Sequence, residues 1–252
     1  MLSILAVDVG NTNIKYATIC GGEIGEVRLH PTIEFQSAAQ EIAEIGLPVA
    51  LCSVRREATE EIKSALSARG LPLHVEITSD LSHPVRGFYP GMGADRIAMA
   101  AGAVAQVESA CPVAVVGLGT GTTITTVSAD RKFHGGLTSL GLGPICQTLQ
   151  NALPQLPPIE PMRFQQLLPG RDVYSALLNG TISGHVGMVE YWVEFFKKEL
   201  GDQLIVYASG GWSELIGSLT KRIDRVDRLL TFKGIWAIAK DHAGEPLMKK
   251  PR

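Results

Sequence analysis

The sequence predicts an α/β protein of two duplicated lobes, each a mixed sheet flanked by helices. Three observations carry that prediction. Strands alternate with helices after an opening hairpin, the pattern of an α/β layer. The pattern then restarts mid-chain, where Val116-Gly117-Leu118-Gly119-Thr120 can be laid against Val7-Asp8-Val9-Gly10-Asn11 as an internal repeat. Finally, glycine turns follow strands at Gly10-Asn11-Thr12, Gly119-Thr120-Gly121-Thr122 and Ser209-Gly210-Gly211. The repeat sets a division near residue 110, giving an N-terminal lobe 1–110 and a C-terminal lobe 111–252.

In chain order, the apolar run Leu2–Val7 reads as a buried strand, Gly10-Asn11 as a tight turn and Ile14–Ile19 as the return strand. Gly25–Leu29 supplies a third antiparallel strand. Ser37–Ile45 has apolar residues at helical spacing, Val49–Val54 is a short strand, and Ala58–Ala68 is a helix rich in Glu, Lys and Ala. Leu73–Ile77 is a further strand, and the Pro- and Gly-bearing stretch 78–93 is a loop before the Ala-rich helix Asp95–Val107. The second lobe repeats the order: strand Pro112–Leu118, turn, strand Thr122–Ser128, a turn at Asp130-Arg131-Lys132, and a strand ending at Gly135-Gly136. Helices follow at Pro144–Ala152 and Tyr174–Leu200, then a strand Leu204–Ala208, a helix Ser213–Leu219, a strand near Arg228 and a helix from Gly234.

Composition narrows the function. The 252-residue chain carries a formal net charge of −2, which excludes the basic excess of a nucleic-acid binder. The tail Lys249-Lys250-Pro251-Arg252 reads as a solvated end. No apolar run is long enough to span a bilayer, and Met1–Val7 lacks the basic flank of a signal peptide. Cys20, Cys52, Cys111 and Cys146 form no CxxC pair, and the six histidines are scattered without metal-ligand spacing. A cytoplasmic protein with reduced thiols is expected.

Two stretches carry chemistry. Asp8 stands at the end of a core strand, where a lone carboxylate is costly unless a cation meets it. Magnesium with phosphate suits it, because the turn Gly10, Asn11, Thr12, Asn13 offers backbone amides and small polar side chains, and Lys15 adds a point charge. The plainer alternative is a hairpin with a capped turn. The second stretch is Gly93-Ala94-Asp95-Arg96 at the start of the Ala-rich helix. Asp95 can cap that helix, or it can accept a proton from a substrate hydroxyl while Arg96 and the helix amides hold an anionic substrate. Glycine turns at the carboxyl ends of strands in both lobes point to a nucleotide held by both.

Taken in order, DxGNTxxK (Asp8–Lys15), GADR (Gly93–Arg96), GTxTT (Gly119–Thr123), FxGG (Phe133–Gly136) and SGG (Ser209–Gly211) resemble the type III pantothenate kinases over nearly the whole chain. The resemblance implies ribonuclease-H-like lobes of the actin-like and sugar-kinase-like ATPase superfamily. It implies ATP-dependent phosphorylation of pantothenate to 4′-phosphopantothenate, the first committed step toward coenzyme A, by a homodimer. It assigns Asp8, Gly10, Asn11, Thr12, Asn13 and Lys15 to the ATP phosphates, with Asp8 as the Mg2+ ligand. Gly119, Thr120, Thr122, Gly210 and Gly211 also go to ATP, and Gly93, Ala94, Asp95 and Arg96 to pantothenate, with Asp95 as general base. Tyr89 is the candidate for a substrate tyrosine. Val173 stands where the family has a substrate-binding threonine, and Gly117 where it has the acidic residue that helps hold a monovalent cation (K+ or NH4+). Those departures leave two alternatives: a weakened paralogue that binds nucleotide or pantothenate and acts through a protein partner, or a kinase for another small hydroxylated substrate.

Overall fold

A computed structural model describes residues 2–107 and 111–243. The tail at 249–252 and the division expected at residue 110 lie outside them. The described residues fall into two compact units, one within Met1–Glu108, Arg131–Phe133 and Leu229–Arg252, the other within Ser109–Asp130 and His134–Arg228. The division at 110 placed everything from 111 onward in the second lobe. The structure instead groups 131–133 and the C-terminal helix with the first.

In the first unit, β1 (Ser3–Val9) pairs antiparallel with β2 (Asn13–Cys20), which also pairs with β3 (Glu23–Ile24) and β4 (Arg28–Pro31). On its other side β1 runs parallel to β5 (Val49–Ser53), and β5 parallel to β6 (Leu73–Glu76). The third strand expected at 25–29 is thus two short ones. Two helices, α1 (Phe35–Glu44) and α2 (Arg56–Ala68), pack Ile42 and Ile62 with Leu5, Val7 and Leu51 in one apolar core. The parallel strand β5 is apolar over Val49–Cys52 because helices pack on it, α1 and α2 against Val49 and Leu51 and the helices at 94–104 and 230–241 also against the strand.

The helix α3 (Ala94–Val104) is buried along almost its whole length, which explains its composition: small side chains let another helix approach. That helix is α7 (Leu230–Asp241), which begins four residues before the expected Gly234. A Cβ on Gly102 would run into the Leu230 carbonyl oxygen, and one on Gly234 into the Ala98 carbonyl oxygen. The crossing of α3 and α7 is therefore set by paired glycines, and it ties the C-terminal helix to the first unit. Gly102→Ala is expected to lower stability by about 3 kcal/mol. Thermal unfolding followed by circular dichroism checks this, and an unchanged midpoint would show that the helices can part at no cost.

The second unit repeats the sheet. β7 (Val113–Leu118) pairs antiparallel with β8 (Gly121–Val127), which borders β9 (Phe133–Leu140). On its other side β7 runs parallel to β10 (Ile205–Ser209), and β10 parallel to β11 (Arg225–Val226). Strand order and direction match the first sheet, so the duplication expected from the repeat is present. β9 continues to Leu140 instead of stopping at Gly135-Gly136. The helices are α4 (Leu142–Ala152), α5 (Val173–Leu200) and α6 (Ser213–Ser218). α5 starts on a capping box in which Asp172 accepts from the Ser175 amide at 2.9 Å.

Candidate active site

Each unit carries part of the expected site. In the first, the turn after β1 is closed by the Gly10 amide donating to the Asn13 carbonyl at 2.9 Å. It is also fastened from outside. Thr32 donates its hydroxyl to the Gly10 carbonyl at 2.9 Å, and its amide donates to the Thr12 carbonyl at 2.9 Å. Those bonds hold Gly10–Asn13 in one shape, as an anion cradle requires. No pattern in the sequence marked Thr32, because its role depends on β4 returning beside β2.

Asp8 is directly opposite Lys15 across the β1–β2 ladder and beside Cys52 on β5. Side chains so paired share a face of the sheet. Burial pushes the Asp8 carboxyl up to about 6; Lys15 pulls it down and the charge of Asp95 pushes it up again. Burial, with Asp8 and Asp95 adding to it, also raises the Cys52 thiol well above its usual range. Asp8, Lys15, Cys52 and Asp95 thus form one electrostatic cluster in which two carboxylates repel.

Asp95 lies in the first turn of α3. Its Oδ1 accepts from the Arg96 amide at 2.9 Å, so the capping geometry is real. Burial nevertheless raises its carboxyl above the ordinary value, against the lowering effect of the Arg96 amide and charge. Gly93 gives the carboxylate room: a Cβ on it would sit 2.6 Å from Asp95 Oδ1, so the side chain would have to shift. The Arg96 guanidinium is buried and donates to the Tyr89 hydroxyl at 2.9 Å. Tyr89 packs against Phe133 with ring centroids 5.8 Å apart. The loop tyrosine, Arg96 and Asp95 are thereby brought together.

In the second unit the glycine turns converge on the end of β7. The Gly119 amide donates to the Gly121 carbonyl at 3.0 Å, and the Gly141 amide to the Thr120 carbonyl at 2.9 Å. A Cβ on Gly141 would meet the Gly119 carbonyl, and Gly210, at φ +103°, sits against the Leu118 backbone. Gly119, Thr120, Gly210 and Gly211 are therefore gathered at one end of the sheet. Thr122 is not presented in the same way. It is fully buried, and its hydroxyl lies 3.0 Å from Nε2 of His185 on α5, itself 3% exposed. The side chain assigned to ATP is engaged inside the unit. Scattered spacing hid His185, because the contact joins residues far apart in the chain. Gly117 pairs with Thr123 and Ser209, leaving no carboxylate at that point of the strand. Asp130 accepts from Ser128 in the turn after β8, so it acts as a turn residue. Val173 opens α5 and is 54% exposed.

Among the described residues no group of three or more His, Cys, Asp or Glu side chains could hold a metal ion. A single carboxylate such as Asp8 could serve magnesium, which takes one or two carboxylates and completes its shell with phosphate oxygens and water. The raised Asp8 carboxyl beside Asp95 is where a cation would relieve the repulsion.

The family model described as type III pantothenate kinase matches residues 4–194. The chain belongs to the type III pantothenate kinase family. A type III pantothenate kinase of Dehalococcoides mccartyi is 32% identical over 251 residues, covering 92% of this chain and 95% of that protein. One from Thermus thermophilus is 31% identical, with 93% and 98% covered. Solved structures show the fold. A Campylobacter jejuni protein described as a putative Baf family transcriptional activator superposes with TM-score 0.60 at 18% identity, covering 95% of this chain and 99% of that one. MreB 5 of Spiroplasma citri superposes with TM-score 0.55 at 12% identity, over 95% and 96%. The actin-like and sugar-kinase-like class expected from the sequence is therefore the fold observed.

Among the described residues no helix is long and apolar enough to cross a membrane.

Proposed function

We propose that this type III pantothenate kinase transfers the γ-phosphoryl group of ATP to the 4′-hydroxyl of pantothenate with Asp95 as general base. The observation that carries the assignment is the cluster of Asp8, Lys15 and Asp95, with Arg96 and Tyr89 beside it. Phosphoryl transfer asks the protein for positioning, charge neutralisation and one acceptor for the hydroxyl proton. In this reading the Gly10–Asn13 turn and Lys15 hold the phosphates, Asp8 holds Mg2+, and Gly119, Thr120, Gly210 and Gly211 meet the nucleotide. Bound magnesium neutralises the charge of the phosphate oxygens. Arg96 receives the pantothenate carboxylate while Tyr89 orients the guanidinium. Asp95 takes the proton from the attacking hydroxyl, and its raised pKa makes it a better acceptor than an exposed carboxylate. The protein is assigned to the cytoplasm.

The test is ADP release with ATP, Mg2+ and pantothenate, with and without potassium. Pantothenate-dependent turnover is expected, and it should be indifferent to K+ or NH4+ because Gly117 supplies no ligand. Turnover that rises steeply with K+ would show that other groups build the cation site. No turnover under any condition would favour a binding paralogue.

A homodimer is part of the same reading, supported by one face of α5. Gly180, Gly184 and Gly187 lie along it with open space where a Cβ would be. Tyr191, 71% exposed, and Phe195, 44% exposed, continue it. Each interior glycine costs a helix about 1 kcal/mol, a cost that close approach of another helix would offset. Light scattering should report a dimer for the native chain and a monomer for Gly184→Arg; a dimer in both would place the contact elsewhere.

A further inference from the structure

The Gly10–Asn13 turn is shaped by a residue that lies outside it. Thr32 follows β4 and is 4% exposed. It makes two bonds to the turn: its hydroxyl donates to the Gly10 carbonyl and its amide to the Thr12 carbonyl, each at 2.9 Å. Burial alone asks for no hydroxyl at this place, since valine has the same branching at Cβ. Nor does the hydroxyl cap the single helical turn Thr32–Glu34, which carries no side-chain cap. Its bond goes to Gly10, 22 positions away in the chain.

The two bonds fix directions as well as positions. A trans peptide group is planar, so its C=O and N–H point in opposite directions, and no peptide bond among the described residues is cis. The Gly10 carbonyl shares its peptide group with the Asn11 amide, and the Thr12 carbonyl shares one with the Asn13 amide. Drawing both carbonyls toward Thr32 therefore turns the Asn11 and Asn13 N–H groups away from it. Backbone N–H groups turned to one side of a turn make an anion-binding concavity. Thr32 can exert this pull because β4 is itself anchored. Pro31 lies opposite Asn13, and Arg28 opposite Tyr16, in the pairing with β2. Glu41 on α1 gives the strand a second hold, accepting from Arg28 at 3.0 Å and from His30 Nε2 at 2.9 Å.

Resting on the assignment of this turn to the ATP phosphates, we propose that Thr32 is a positioning residue for phosphoryl transfer. It touches neither substrate, and it aims the Asn11 and Asn13 amides at the terminal phosphates of ATP. Without the hydroxyl the Gly10–Asn11 peptide group is free to rotate, and ordering it again is charged against ATP binding. Pantothenate is assigned to Gly93–Arg96, on another stretch of the chain, so its binding is spared.

Isothermal titration of the whole protein with ATP and Mg2+, beside steady-state kinetics, tests this. Thr32→Val removes the hydroxyl but keeps the branched shape and the amide bond to Thr12, whereas Thr32→Ser keeps the hydroxyl. Thr32→Val should bind ATP about tenfold more weakly and raise the KM for ATP by the same factor, with the KM for pantothenate unchanged. Thr32→Ser should restore ATP binding to within about twofold of the native chain. A hydroxyl that only stabilised the fold would lower the unfolding midpoint of Thr32→Val and leave its ATP affinity native, which would overturn the proposal. So would equal rises in both KM values, or a serine variant as weak as the valine one. A native chain that binds ATP without phosphorylating pantothenate would defeat the kinase assignment alone, and the titrations would still decide on Thr32. A native chain that binds no ATP would defeat both.

Discussion

Asp95→Asn is expected to lower kcat by about 10²- to 10⁴-fold, the usual contribution of a general base, while leaving the KM for ATP nearly unchanged. The substitution suits the purpose because an amide oxygen can still accept from the Arg96 amide, as Asp95 Oδ1 does at 2.9 Å. The start of α3 therefore stays capped, and Gly93 still faces a group of the same size. What is lost is the ability to take a proton. The pH profile offers a second readout. Burial raises the Asp95 carboxyl above its ordinary value, so the acid limb of kcat/KM should lie above the range of an exposed aspartate. Activity within a few-fold of the native enzyme would reduce Asp95 to a helix cap and require another base.

Asp8→Asn should move activity and stability in opposite directions. Turnover should be abolished, since the magnesium ligand assigned to the first unit is gone. Stability of the metal-free protein should rise at pH 7.5. Folding pushes the Asp8 carboxyl up to about 6, above the ordinary value of about 3.9 for an unfolded chain. Between those values the folded protein binds more protons than the unfolded one, so stability falls as pH rises through this window. The full contribution is present below the unfolded value and lost above the folded one. Asn has no charge to bury, so the variant should gain on the order of 2 kcal/mol at pH 7.5 and almost nothing at pH 3.5. Chemical unfolding in the presence of a chelator at both pH values measures this. An equal stability difference at the two values would show that the Asp8 charge is not disfavoured by the fold.

The legible parts of the molecule were those set by local chemistry. Apolar runs that end in the turns at Gly10 and Gly119 are enough to mark both hairpins, and the match of Val116–Thr120 to Val7–Asn11 revealed the repeated sheet. The Ala-rich run marked α3, although not the reason for its composition. Less legible was the long second half of β9. Gly135-Gly136 reads as a stop, yet the strand continues to Leu140, because pairing with β8 overrides the local preference for a turn. The third strand failed for the opposite reason: its pairing with β2 is split between Glu23–Ile24 and Arg28–Pro31.

The sequence by itself determined that two phosphate-sized turns end two core strands, that Lys15 lies one hairpin turn beyond Asp8, and that an acidic residue opens an alanine-rich helix. Each follows from spacing within about ten residues, where strand alternation and turn geometry leave little choice. Tertiary structure alone decided that Tyr89 reaches Arg96, that Thr32 fastens the first turn, and that Thr122 turns inward to His185. It alone placed the C-terminal helix with the first unit, through the Gly102–Gly234 crossing. These pairings depend on which surfaces can approach closely once all side chains are packed, and chain order carries no record of that.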